Sequence, residues 1–122
     1  MIIRRNEAPT KHLGSGSALQ EYHPANSDCG SLAYGRFNGV LPSEDSSFLN
    51  RECNEWYFVQ SGEVDVHIDG EPTCTALPGD AVLIERGKPF WVDAKNLEVL
   101  LVVVPKWSAE QHEVVRRPTK TE

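Results

Sequence analysis

The sequence predicts an all-β barrel made by a single domain, and three observations carry that prediction. Short stretches alternate apolar and polar residues, as Val64, Val66 and Ile68 do against Asp65, His67 and Asp69, which is the period of a strand with one dry and one wet face. Turn-forming pairs punctuate these stretches, among them Ser61-Gly62, Asp69-Gly70 and Pro78-Gly79. No segment demands a helix of ordinary length. Many short strands at regular spacing close into a sandwich or barrel, and 122 residues are enough for one such core without crosslinks.

Taken in order, Ile2 and Ile3 are read as the start of a short strand, and His12 to Gly16 as a turn-rich connection. Ser17 to Tyr22 is the next strand, ended by Pro24 and the polar Asn26-Ser27-Asp28 cluster, and Ser31 to Leu41 is a longer one. Gly35 and Gly39 inside it predict a bend or bulge of the kind barrel walls need. Pro42 to Ser47 reads as a surface loop. Glu55 to Gln60, a turn at Ser61-Gly62 and residues 63–68 read as a hairpin. Asp69-Gly70 suits a type I′ turn, whose two central positions need positive φ, and joins 63–68 to a strand at Thr73 to Leu77. Pro78-Gly79 has the composition of a type II turn. Ala81 to Glu85, Pro89 to Asp93 and Leu97 to Val104 complete the strands, the last so continuously apolar that both its faces are expected to be covered. One face would fill the barrel and the other would meet a second sheet or a partner chain, and a homodimer is expected. Ser108 is placed as the N-cap of one or two helical turns reaching Val115. Residues 1–115 thus form the barrel, and Arg116 to Glu122 a polar tail.

Composition removes several function classes. The net charge of −6 argues against general affinity for nucleic-acid phosphates, so no DNA or RNA partner is expected. No apolar run approaches the ~20 residues that span a bilayer, and no membrane association is expected. The N-terminus lacks the apolar region of a secretory signal, which places the protein in the cytoplasm. Cys29, Cys53 and Cys74 are too few and too scattered for a disulfide framework or a zinc knuckle.

Within Arg51 to Phe90, Glu55 is followed after six residues by Gly62, and Pro78-Gly79-Asp80 is followed by an apolar run and Gly87-Lys88-Pro89-Phe90. This pairing resembles the two signature motifs of the cupin superfamily, small jelly-roll β-barrels. In that family the first motif runs His-x-His, three or four residues, Glu, six residues, Gly, and the second ends on a histidine. The resemblance implies a metal held by three histidines and the glutamate, but the histidines are missing. A three-residue spacer puts their first two positions on Leu49 and Arg51, a four-residue spacer on Phe48 and Asn50. The third falls on Phe90. Only Glu55 remains of the four, and one carboxylate does not hold a transition metal against water, so neither metal nor cofactor is expected. His12, His23, His67 and His112 lie off the motif and read as surface residues.

The cavity implied by the resemblance is read with the three-residue spacer and an unbroken strand, so that Arg51, Cys53, Glu55 and Tyr57 share one face with Phe90 across from them. Arg51 and Glu55 would then form a buried ion pair that closes the barrel, or Arg51 would offer its planar fork to a carboxylate or phosphate. Phe90, Tyr57, Trp56 and Trp91 are candidate apolar walls. The first functional expectation is therefore a metal-free small-molecule-binding protein, a sensor, carrier or accessory, with an anionic ligand at Arg51 and contacts from Cys53, Glu55, Tyr57 and Phe90. The second is a metal-independent isomerase or epimerase of sugars or small acids, with Glu55 as base and Tyr57 as acid. A third keeps a metal on ligands outside the motif.

Overall fold

A computed structural model describes residues 1–118. Nine strands form one curled sheet: β1 Thr10–Gly14, β2 Ser17–Tyr22, β3 Ser31–Leu41, β4 Ser46–Asn50, β5 Asn54–Ile68, β6 Cys74–Ala76, β7 Ala81–Ile84, β8 Phe90–Val104 and β9 His112–Arg116. Two 3₁₀ turns, Arg5–Glu7 and Ala109–Gln111, are the helical elements among the described residues. The all-β jelly-roll prediction is met.

The frame is the pair β5 and β8, each 15 residues long and antiparallel from Asn54–Val104 to Ile68–Phe90. β8 carries β3 on its other edge, β3 carries β2, and β2 carries β1. β5 carries β7 and β6. The sequence reading split β5 and β8 into two strands each, and the reason is visible in their parity. The buried positions of β5 are Tyr57 and Val59, then Val64, Val66 and Ile68, so the inward face passes from odd to even numbers. In β8 it passes from Phe90, Val92 and Ala94 to Leu97, Val99, Leu101 and Val103. Each switch is a bulge inside a continuous strand, at Ser61 in β5 and at Asn96 in β8, where φ is 47°. The two bulges meet at Gly62, with φ 75°, where an added Cβ would sit 2.2 Å from the carbonyl oxygen of Asn96. Gly62 therefore allows two strands to bend together and is not the turn of a hairpin.

Other expectations land closer. β2 and β3 have the predicted bounds, and β3 shifts register between Phe37 and Gly39. Gly70 and Gly79 both take positive φ, 79° and 92°. Asp69 does not, so the Asp69-Gly70 turn, closed by the Glu71 N–H on the Ile68 carbonyl at 3.0 Å, has the type II pattern and not the expected type I′. Ile2 and Ile3 precede the first 3₁₀ turn instead of forming a strand, and His12 to Gly14 belongs to the β1–β2 hairpin. Residues 112–116 are extended where helical turns were expected, because His112 to Arg116 pairs with β4 from Asn50–His112 to Ser46–Arg116. The Ser108 side chain makes no cap bond. Arg116 closes β9 instead of opening a tail, and the Arg117 guanidinium bonds the carbonyls of Ser46 and Ser43 and lies 3.7 Å from the Trp91 ring centre. Residues 119–122 of the expected tail lie outside the described residues.

The outer face of the frame is apolar as well. Leu32, Trp56, Leu83 and Val102 form one cross-strand row, and all four are exposed.

Candidate functional site

The inner faces of β3, β4, β5 and β8 enclose a cavity of about 300 Å³, at the small end of ligand pockets. Its walls are mostly apolar, with Phe37, Leu41, Phe48, Phe90, Leu101 and Val103 among them. Polar groups enter from two directions. Glu55 and Tyr57 project from β5, while Lys11, Glu21 and His23 come from the β1–β2 side and His112 from β9, beside Trp107.

Period-2 geometry in β4 decides which residues reach this space. Phe48 and Asn50 lie on its inner side: Phe48 lines the cavity with its ring 5.5 Å from that of Phe90, and the Asn50 amide donates to Glu55 Oε1 at 2.9 Å. Leu49 and Arg51 fall on the other side. The Arg51 side chain is 56% exposed, and it pairs with Glu113 at 2.6 Å. The chain bends at Arg51 and Glu52 before β5 begins, which breaks the parity that would have carried Arg51 inward. The expected Arg51–Glu55 pair does not form, and Arg51 supplies no anion site in the cavity. Cys53 is buried with its thiol toward the Lys106 carbonyl at 3.8 Å and does not line the cavity. Glu55, Tyr57 and Phe90 do line it. Trp56 faces out, and Trp91 stacks with His67 at 3.6 Å, so neither indole is a cavity wall.

Asn50 is the junction of the polar floor. Its Oδ1 lies 3.1 Å from Gln111 Nε2 and 2.9 Å from His112 Nδ1, while its backbone carbonyl accepts from Gly87 N at 2.7 Å. Asn50 and Gln111 are both buried. Among the described residues no salt bridge reaches Glu55. Crowding by the protein desolvates its carboxyl and pushes it up to about 7, a rise that the hydrogen bond from Asn50 opposes. Burial, and then the Glu55 charge, hold the Tyr57 phenol well above its ordinary range, so it is a hydrogen-bond donor that gives up its proton reluctantly. Burial and the nearby Lys11 ammonium lower His112, which keeps the imidazole neutral at neutral pH.

The mouth of the cavity is ordered by charge and stacking. Glu21 is held between Lys11 Nζ at 3.2 Å and His23 Nε2 at 3.0 Å. His23 stacks with Trp107, and Trp107 is fixed by its backbone N–H to Ser31 Oγ at 3.0 Å. The surface reading of the histidines thus fails for His23 and His112. No motif marks either one. The segment His112 to Arg116 does not alternate, and the β-branched pair Val114-Val115 is its one local strand signal; its pairing with β4 decides the rest.

The metal positions of the resembled motif can now be assigned. The inner side of β4 selects the four-residue spacer, so the four places are held by Phe48, Asn50, Glu55 and Phe90. Two phenyl rings donate nothing, and the Asn50 oxygen is already engaged by Gln111 and His112. Among the described residues no three His, Cys, Asp or Glu side chains gather in a metal-binding arrangement. This donor set does not fit a resident transition metal.

A β-barrel whose inner face carries a small open-mouthed cavity, with the glutamate and glycine of one motif and the Pro-Gly turn of the other in place, defines a class of jelly-roll protein. The cupin domain family matches residues 40–105, and the chain belongs to that family. A comparison with curated protein sequences finds no significant match. Among solved structures, the nucleoside dehydratase Pac13 superposes with a TM-score of 0.81 at 16% identity, covering 100% of this chain and 96% of that one. A Streptomyces Pac13 variant with uridine gives 0.80 at 16% identity over 100% and 95%. KdgF from Halomonas sp. gives 0.65 at 17% over 88% and 96%, and oxalate decarboxylase from Bacillus subtilis 0.76 at 18% over 91% and 31%. At such identities the likeness is one of fold. No helix among the described residues is long and apolar enough to cross a membrane.

Proposed function

We propose that the cavity binds a small uncharged ring compound and that Glu55 exchanges a proton with it, without a metal. The observation that carries this reading is a desolvated carboxyl, about half ionised near pH 7, facing a cavity whose walls are mostly apolar. General acid–base groups are most effective when their pKa lies near the working pH. Tyr57 serves as a hydrogen-bond donor that orients the ligand. Lys11 and Glu21 offset each other as a pair, and the partly ionised Glu55 would repel an anion, so a neutral molecule is the ligand class proposed. The uridine bound by the Pac13 variants supports a nucleoside or a compound of similar size as the first probe. Binding without chemistry, as a sensor or carrier, is the second reading, favoured by the predominance of apolar wall. We also propose a cytoplasmic homodimer, which would cover the exposed row Leu32, Trp56, Leu83 and Val102.

Thermal-shift screening with uridine, other nucleosides and neutral sugars should raise the melting temperature for at least one compound. Product analysis then compares the parent with Glu55→Gln. Turnover by the parent and its loss in the variant, with binding retained, supports proton exchange. Binding with no turnover in either leaves the carrier reading. No neutral compound bound, with small acids bound instead, overturns the proposal.

A further inference from the structure

The amide network at the cavity floor fixes more than the position of Glu55. Its orientation follows from one unambiguous donor. The backbone N–H of Glu52 lies 3.1 Å from the Gln111 side chain, so the atom it meets must be Oε1. The other end of that amide, Nε2, then donates to Asn50, and the receiving atom must be Oδ1. The Asn50 Nδ2 is left to donate to the Glu55 carboxyl. His112 Nδ1 also meets Oδ1, at 2.9 Å, and a carbonyl oxygen can only accept. His112 Nδ1 therefore carries the proton. In a neutral imidazole the far nitrogen, Nε2, is then bare.

The strand pairing places these groups together: Asn50 and His112 are register partners in β4 and β9, so their side chains leave the sheet side by side. Both lone pairs of Asn50 Oδ1 are used, one by Gln111 and one by His112, which resists rotation of the amide. His112 lines the same cavity as Glu55, and its ring lies 5.5 Å from that of Trp107 and 5.6 Å from that of Phe48, centre to centre.

We infer that Asn50 is a positioning residue that holds His112 as the Nδ1–H tautomer, making the bare Nε2 of His112 a second proton acceptor of the cavity beside Glu55. This rests on the acid–base reading of the cavity and deepens it: the matching ligand is an uncharged molecule that offers a donor to Nε2 and an acceptor to protonated Glu55, as hydroxy-carbonyl ring compounds do. Neither the family motif nor the metal positions supply this group, because His112 comes from β9, beyond both.

The tautomer can be read without any ligand. Long-range ¹H–¹⁵N correlation spectra of the labelled full-length protein at neutral pH should give a protonated, pyrrole-type Nδ1 and an unprotonated, pyridine-type Nε2 for His112. Asn50→Ala should shift both nitrogens toward the averaged values of a free imidazole. Where that variant does not fold, Asn50→Asp decides, because its carboxylate oxygen still accepts from Nδ1 and should keep that nitrogen protonated. An Nε2–H tautomer in the parent, a tautomer unchanged in folded Asn50→Ala, or loss of the Nδ1 proton in folded Asn50→Asp would overturn the positioning role. Failure to find a ligand or a reaction would count against the proposed function alone and leave the tautomer assignment standing.

Discussion

The cavity is built by two regions that treat polarity in opposite ways. The motif strands β4, β5 and β8 carry Phe48 and Phe90 where the family motif has ligating side chains, and one carboxyl, Glu55. The flanking region, made of β1, β2, β9 and the segment bearing Trp107, brings charge and imidazoles to the same space through Lys11, Glu21, His23 and His112. A pocket without the donors of its motif can thus take its polar groups from strands that carry no motif. The two regions meet at Asn50, which bonds Glu55 on one side and His112 on the other.

The largest effect is expected in the motif region. Gly62→Ala would drive a Cβ into the Asn96 and Lys95 carbonyls at 2.2 and 2.5 Å, at a φ of 75°. Neither backbone can yield without undoing the paired bulges, so the loss should exceed about 4 kcal/mol in denaturant unfolding, or prevent folding.

Glu55 gives a smaller effect of opposite sign. Its carboxyl rises from 4.5 to about 7 in the folded chain, so between those values the folded state holds a proton that the unfolded state releases. Stability is full below pH 4.5, falls as pH rises through 7, and then levels off. Glu55→Gln removes that fall. Urea unfolding should find it more stable than the parent by up to about 3 kcal/mol at pH 8 and equal to it at pH 4.

In the flanking region, His112→Ala leaves one lone pair of Asn50 without its donor and should cost about 1 kcal/mol, with the β4–β9 pairing intact by circular dichroism. Arg51→Lys should be the weakest of the set. Its partner Glu113 is also on the surface, and exposed ion pairs contribute little, so the melting temperature should stay within measurement error.

The fold was legible because alternation, Asp69-Gly70 and the Pro-Gly turn are local signals that need no partner. Bulges are not local in this sense. Ser61-Gly62 looks like a turn in one dimension and becomes a bulge only when Asn96 faces it across β5 and β8. The cavity lining was legible on and beside the motif, at Glu55, Tyr57 and Phe90. It failed at Arg51 because a bend at residues 51–52 shifts the inward face by one residue, onto Phe48 and Asn50. It missed His23 and His112 because their approach depends on which strands pair at the sheet edge, a relation the chain order does not display.

Proton exchange at Glu55 requires that its side-chain carboxyl titrate near neutrality, and that carboxyl can be titrated directly. With ¹³C-labelled glutamate, the resonance absent from Glu55→Gln should titrate with a midpoint of about 7. A midpoint below 5 would mean that Glu55 is an ordinary solvated carboxylate, and the acid–base reading of the cavity would be contradicted.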